Sequence, residues 1–186
     1  IGVGVLNGPI PNVKKHLAVT KNNNGVTVLI EKKLSPVTRW RDPWNIFPDP
    51  ACGENIHNGD FIFDRDFLSM RQLRELKDVP GYIGNQIDAV LEEGPEGLNK
   101  DEDLGAGGSP RSGTAKGRFE VWYYYGSLKK SEMGIIWKAA DKKLDDLPAD
   151  KSEVYVIVTL INERVVRATI NPLDSGAFPY HSVPWQ

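Results

Sequence analysis

At 186 residues, 40% apolar and 26% charged, the chain is long enough to bury a core of its own and too apolar to stay disordered. A formal net charge of −2 leaves no bulk positive field to draw it to phosphate backbones or anionic lipid. Cys52 is the only cysteine, which excludes an internal disulfide and a Cys-pair zinc site within one chain, and no apolar run approaches the length of a spanning helix.

The opening "IGVGVLNGPI" begins at Ile1 without a basic-then-apolar leader, so the expectation is a piece of a larger protein, folded as a single domain over 1–186. "VKKHLAVT" and "GVTVLIEKK" flank the turn signal Asn22-Asn23-Asn24-Gly25 and predict a β-hairpin. After a Pro-rich stretch, "DFIFDRDF" alternates Phe61, Phe63 and Arg65 against Ile62, Asp64 and Asp66, a strand pattern. Ser69 is placed to cap a helix "MRQLRELK" that Pro80-Gly81 ends, and "YIGNQIDAVLEE" sets Ile83, Ile87, Val90 and Leu91 on one face of a second. The two make an αα-hairpin.

Residues 94–117 are dominated by Gly, Pro, Ser and charge, with almost nothing to bury, and read as a long mobile loop. "RFEVWYYYG" is a strand with a heavy aromatic load. "LKKSEMGIIWKAADKKLDDL" predicts a helix from Ser131, with Ile135, Ala139 and Leu144 in loose period, stopped by Pro148. "EVYVIVTLINERVVRATI" is the clearest hairpin, turning near Asn162-Glu163, and "NPLDSGAFPYHSVPWQ" reads as an extended, Pro-punctuated tail. Strands and helices mix without a βαβ rhythm, so the expected class is α+β: mixed β-hairpins and sheets, an αα-hairpin and the long Gly-rich loop.

Four stretches invite a chemical reading. "GVGVLNG" has the wrong glycine spacing for a dinucleotide fingerprint, and Pro9 and Pro11 forbid the helix that would hold the pyrophosphate. "GSPRSGTA" has Walker-like glycines, but Thr114 and Ala115 stand where Lys and Ser or Thr must be. Asp49, Cys52, His57, Asp60, Asp64 and Asp66 raise the alternative of a metal-dependent hydrolase using residues 49–66; one His and one Cys make an incomplete ligand set, and the aspartates before Pro50 and Phe61 suit turns. The helix pair raises a second alternative, a nucleic-acid-binding adaptor; its later helix offers Asn85 and Gln86 beside Asp88, Glu92 and Glu93, which phosphates repel. No catalytic, cofactor-binding or metal residue is therefore assigned, and the expectation is not an enzyme.

"WRDPWNIFPDPACGENIHNGDFIFDRDFLSMRQLRELK", with its Pro-aromatic, Phe then Asp-Pro, aromatic strand and Ser-capped helix, resembles in order and spacing a segment of tailed-bacteriophage portal proteins. The hairpin followed by "NPLDSGAFPYHSVPW", and the opening "GVGVLNGPI", are similar to passages of the same family in the same order. The resemblance implies a structural subunit, mainly the wing region, of a dodecameric homo-oligomeric ring at one capsid vertex of the virion. DNA is packaged and ejected through such a ring, to which the terminase packaging motor, capsid and neck or adaptor proteins dock, with no cofactor and no membrane. The family is made in the host cytoplasm, and the 94–117 loop has no fixed counterpart in it.

Beside the resemblance stands a physical reading of the stretch. Asp42 and Asp49 precede Pro43 and Pro50, where the chain runs extended and turns sharply. Trp40, Trp44, Ile46 and Phe47 then have only a neighbouring sheet or an adjacent subunit to cover them. Trp40, Trp44, Phe47, Asp49 and Pro50 are accordingly the structural and subunit-contact candidates.

Overall fold

The computed structural model describes residues 3–22, 25–95, 117–140, 152–171 and 177–184. The predicted loop at 94–117 and the "DKKLDDL" end of the predicted third helix fall almost entirely outside them. Contacts divide the chain into two compact units, Ile1–Pro43 with Pro179–Gln186, and Trp44–Phe178.

The first unit is an antiparallel sheet of three strands in the order β2-β1-β8: β1 Val3–Asn22, β2 Gly25–Arg41 and β8 Tyr180–Pro184. The predicted hairpin is longer at its open end than its β-branched centre, because the proline-containing flanks there also pair: Pro11 stands opposite Pro36. The tail read as merely extended instead adds a strand, Val3 facing Pro184 and Asn7 facing Tyr180. A register shift follows Asn7, where the Gly8 amide donates to the Pro179 carbonyl at 2.7 Å. Gly8 has φ of +153°, and a Cβ there would meet the Thr38 Cα at 2.7 Å, so no side chain fits. From Ile10 to Asn22, β1 pairs among the described residues with β2 alone, as a two-stranded ribbon.

The second unit is a five-stranded antiparallel sheet in the order β3-β4-β5-β6-β7: β3 Ile46–Pro48, β4 Phe61–Leu68, β5 Phe119–Lys129, β6 Glu153–Ile161 and β7 Arg164–Ile170. Helices α1 Met70–Leu76 and α2 Gly84–Glu93 cover one face, and α3 Lys130–Ala139 the other. The reason lies in the alternation. Leu68, Phe119, Val121 and Ile161 align across β4, β5 and β6 and bury Leu73, Ile87 and Val90, while Val154, Val156, Val158 and Ala168 bury Met133, Trp137 and Ala140. The class is α+β, as expected.

Local signals explain most boundaries. Ser69 and Gln72 form a reciprocal capping box at α1. The β6–β7 turn is a two-residue one, with φ of 49° at Asn162 and 60° at Glu163, the left-handed pair that matches strand twist. It is tied to the end of α2: Asn162 Nδ2 donates to the Gly94 carbonyl at 2.8 Å and Arg164 pairs with Glu93.

Two helix expectations need correcting. α2 starts at Gly84, because Tyr82 bridges to Arg167 and the Ile83 amide donates to the Val166 carbonyl at 2.8 Å, holding the preceding backbone against β7. In α3 the inward residues are Met133, Trp137 and Ala140, while Ile135 is 73% exposed. The bulkiest side chain, Trp137, sets the rotation of the helix on the sheet.

Candidate functional site

The proline-rich stretch folds as a chain of short turns along the outer edge of the second unit's sheet. Pro43–Asn45 makes a 3-10 turn, β3 pairs Ile46, Phe47 and Pro48 with Asp64, Phe63 and Ile62, and two further 3-10 turns follow at Pro50–Cys52 and Ile56–Asn58. Ile46 is buried by this pairing.

Asp49 holds the loop shut. Its amide donates to the Phe61 carbonyl at 3.0 Å; its Oδ1 accepts from the Ala51 amide at 2.8 Å and its Oδ2 from the Asp60 amide at 3.0 Å. The Asp60 amide, then the Ala51 amide, therefore hold this carboxyl below the usual aspartate value. Pro50 begins the turn where a missing amide hydrogen costs nothing. Gly59 completes the closure, since a Cβ there would sit 2.8 Å from the Asp49 Cβ and 3.0 Å from that of Cys52.

A group whose pKa is depressed on folding stabilises the fold above its unfolded value and loses that contribution as pH falls through the folded one. The Ala51 and Asp60 amides are thus expected to stay protected from hydrogen exchange down to about pH 4, the ordinary aspartate value, and to lose protection below it. Asp49→Asn, whose Nδ2 cannot accept, should lose the protection of one of them at every pH. Unchanged exchange in this variant would show that the loop closes without the carboxylate.

Beside this loop lies an aromatic array on one face of the sheet. Alternation puts Phe61, Phe63, Arg65 and Phe67 of β4 on the same side as Trp122 and Tyr124 of β5. Ring centroids stand 5.0 Å apart for Phe63 and Tyr124, 5.5 Å for Phe47 and Trp122 and 5.6 Å for Phe61 and Phe63. The Arg65 guanidinium lies 5.7, 5.6 and 5.7 Å from the Phe47, Phe67 and Trp122 rings, and donates from Nε and Nη2 to Asn45 Oδ1 at 3.1 and 3.0 Å. Sequence reading missed Asn45, Phe67 and Trp122 as members; the period-2 alternation of β4 and β5 was the signal that could have found Phe67 and Trp122, while Asn45, in a 3-10 turn, had none.

Of the five candidates, Phe47, Asp49 and Pro50 come together on this edge, where Phe47 is 41% exposed. Trp44 is 80% exposed in the same unit, whereas Trp40, opposite Leu6 at the end of β2, is 54% exposed in the other. Of the four side chains expected to lie on a neighbouring sheet or an adjacent subunit, Ile46 and Phe47 pack on the sheet, and Trp40 and Trp44 keep more than half of their surface in solvent.

The acid and imidazole groups of 49–66 scatter. Cys52 is buried, His57 stacks on Phe178 with centroids 6.3 Å apart, and Asp66 Oδ1 accepts its neighbour's amide from Phe67 at 2.8 Å. Asp64 is 1% exposed and shares a strand face with Asp66, as the alternation predicts. Among the described residues no three His, Cys, Asp or Glu side chains converge as metal ligands would. A cleft of about 240 Å³ is lined by Asp60, Ser127, Lys129, Glu132, Glu153 and Tyr155. Two of its acids are already engaged, Glu132 by the Lys129 amide and Glu153 by the Ser127 hydroxyl.

The remaining motifs also find places. From Val3 on, "GVGVLNG" lies within β1, which continues as strand rather than helix, and "GSPRSGTA" falls outside the described residues. On the helix pair, Lys77 bridges α1 to α2 through Asp88 at 2.6 Å, and Glu93 is held below its usual value by the Arg164 guanidinium. The surface of α2 presents Asp88, Glu92 and Glu93 to solvent, a poor match to phosphate. No protein-family model matches the chain, and no curated protein is similar enough to carry a function to it.

Proposed function

We propose that this chain is a non-enzymatic structural subunit of a tailed-bacteriophage portal, a homo-oligomeric ring at the capsid vertex through which the genome is packaged and ejected. The observation that carries the reading is the apolar surface left bare in the very stretch that bears the resemblance. Trp44 is 80% and Phe47 41% exposed, on a sheet edge closed into shape by Asp49 and Pro50. Large aromatics held outward by a rigid turn are typical of a surface that another molecule covers.

The second stretch of the resemblance supports the same reading. It supplies Phe178, 5% exposed and stacked on His57, and β8, which completes the first unit's sheet. Both ends of the resemblance thus serve as structural ties. On this reading the protein works within the virion, with the packaging motor, capsid and neck proteins as its partners and DNA passing through the ring.

Electron microscopy of the full-length parent protein tests this. A closed ring of copies with a central channel is expected; a monomer or an open filament would overturn it.

A further inference from the structure

The chain divides its charge as sharply as its contacts. Residues 1–43 hold seven Lys and Arg against two acids and residues 179–186 hold neither, so the first unit stands at +5 and residues 44–178 at −7. Five of the seven cations, Lys14, Lys15, Lys21, Lys32 and Lys33, lie on the ribbon from Ile10 to Val37, where Glu31 is the one acid.

A two-stranded ribbon alone is marginal in water. This one also carries bare apolar residues: Leu17 and Val19, alternate positions of β1, are 72% and 66% exposed in the whole chain. In the register they stand opposite Ile30 and Val28. β2 is an edge strand, so among the described residues its outer hydrogen-bonding side meets no other strand.

We propose that the ribbon Ile10–Val37 is a docking arm: its Lys-rich strands lie against the acidic 44–178 unit of a second copy, and Leu17 and Val19 are buried at the contact. Opposite net charges steer the two surfaces together, and the apolar pair supplies the surface to desolvate. The contact joins two different surfaces, so it repeats from copy to copy as a ring requires. Thirteen residues per strand make the arm about 43 Å long and about 10 Å wide, which offers roughly 400 Å² on one face. That is about half of what a stable pair of proteins uses per partner, so a single contact is weak and ring closure strengthens it. Duplex DNA is the less suitable occupant. Phosphates would leave Leu17 and Val19 bare, and the −7 unit would repel them.

The inference rests on the ring reading for the identity of the partner as another copy. Zero-length carbodiimide coupling, which joins a lysine only to a carboxylate in contact with it, tests it on a mixture of isotopically light and heavy chains at about 100 µM, a concentration that populates weak complexes. Light-to-heavy products joining Lys15, Lys21 or Lys32, which alternation places on the ribbon face of Leu17 and Val19, to acids of 44–178 are expected. Their yield should fall about tenfold in 0.5 M salt, where screening shortens the reach of the charges, and likewise in Lys15→Glu/Lys32→Glu, two positions that stand opposite each other on that face.

Products confined to one chain, products joining ribbon to ribbon, or no products at all would each overturn the proposal. So would a labelled duplex that binds the ribbon at physiological salt and leaves the copies uncoupled. If the double variant fails to fold by circular dichroism, the salt series on the unaltered chain still decides between arm and no arm. A ring in the parent without ribbon-to-body products sinks the arm and spares the ring, and the reverse result does the opposite.

Discussion

Trp137→Ala is expected to lower the stability of the second unit by about 3–5 kcal/mol, the range for deleting a buried large aromatic. Trp137 is 2% exposed and lies between α3 and the β-face formed by Val154, Val156, Val158 and Ala168, so its removal opens a cavity that four small side chains cannot fill. Ile135→Ala, two residues away on the same helix, removes a side chain that is 73% exposed and is expected to change stability by less than about 0.5 kcal/mol. Urea unfolding followed by circular dichroism reads both. Equal losses at the two positions would mean that α3 packs on the sheet with a different rotation.

Gly126→Ala is expected to cost about 1–3 kcal/mol, as overpacking does when the neighbours cannot move. Gly126 stands opposite Phe61, and the Tyr124 ring fills the space above it. An added Cβ would lie 2.6 Å from the Tyr124 hydroxyl oxygen and 2.8 Å from the Phe61 Cβ, which is fixed to the backbone of the neighbouring strand.

Tyr124 is the part that must yield, and it gives a second readout. Its hydroxyl donates to the Ser127 carbonyl at 3.0 Å, and burial first, then the Glu132 and Asp60 carboxylates, push its phenol up to about 12. The neutral phenol therefore stabilises the fold below the ordinary tyrosine value near 10, and that contribution is lost as pH rises toward about 12. In Gly126→Ala this phenol should ionise closer to 10, visible by ultraviolet titration. A stable variant with an unmoved titration would show that the sheet yields instead of the ring.

Regular alternation makes most of the second unit legible in the sequence. β4 alternates at period two, β5 carries its aromatic run, β6 and β7 are Val/Ile-rich runs on either side of a two-residue turn, and Ser69 announces its helix three residues ahead of Gln72. Three features are harder to read. β3 is only three residues long and contains a proline, and β8 has no continuous apolar pattern because its pairing is with distant β1. The rotation of α3 departs from the predicted one because Gly134 and the lysines around Trp137 blur the helical period, and the volume of one indole outweighs the spacing of smaller residues.

The candidate site is half legible. Asp49 and Pro50 carry their turn chemistry in their own side chains, while the cradle of Arg65 needs residues from β3, β4 and β5 that only strand pairing brings together. The charge division between 1–43 and 44–178 is present in the sequence throughout, hidden by a net value near zero.

The first unit takes segments from either side of the second, since β1 and β2 come from residues before Pro43 and β8 from residues after Phe178. On the ribosome, the whole of the 44–178 unit is therefore synthesised while the inner edge of β1 still waits for its third strand. The acidic unit can finish folding first, and the hairpin stays open on that edge until the residues of β8 emerge. A chain ended directly after Phe178 would keep the larger unit whole and fix the hairpin in this unfinished state, with Val3–Asn7 free to capture a foreign strand.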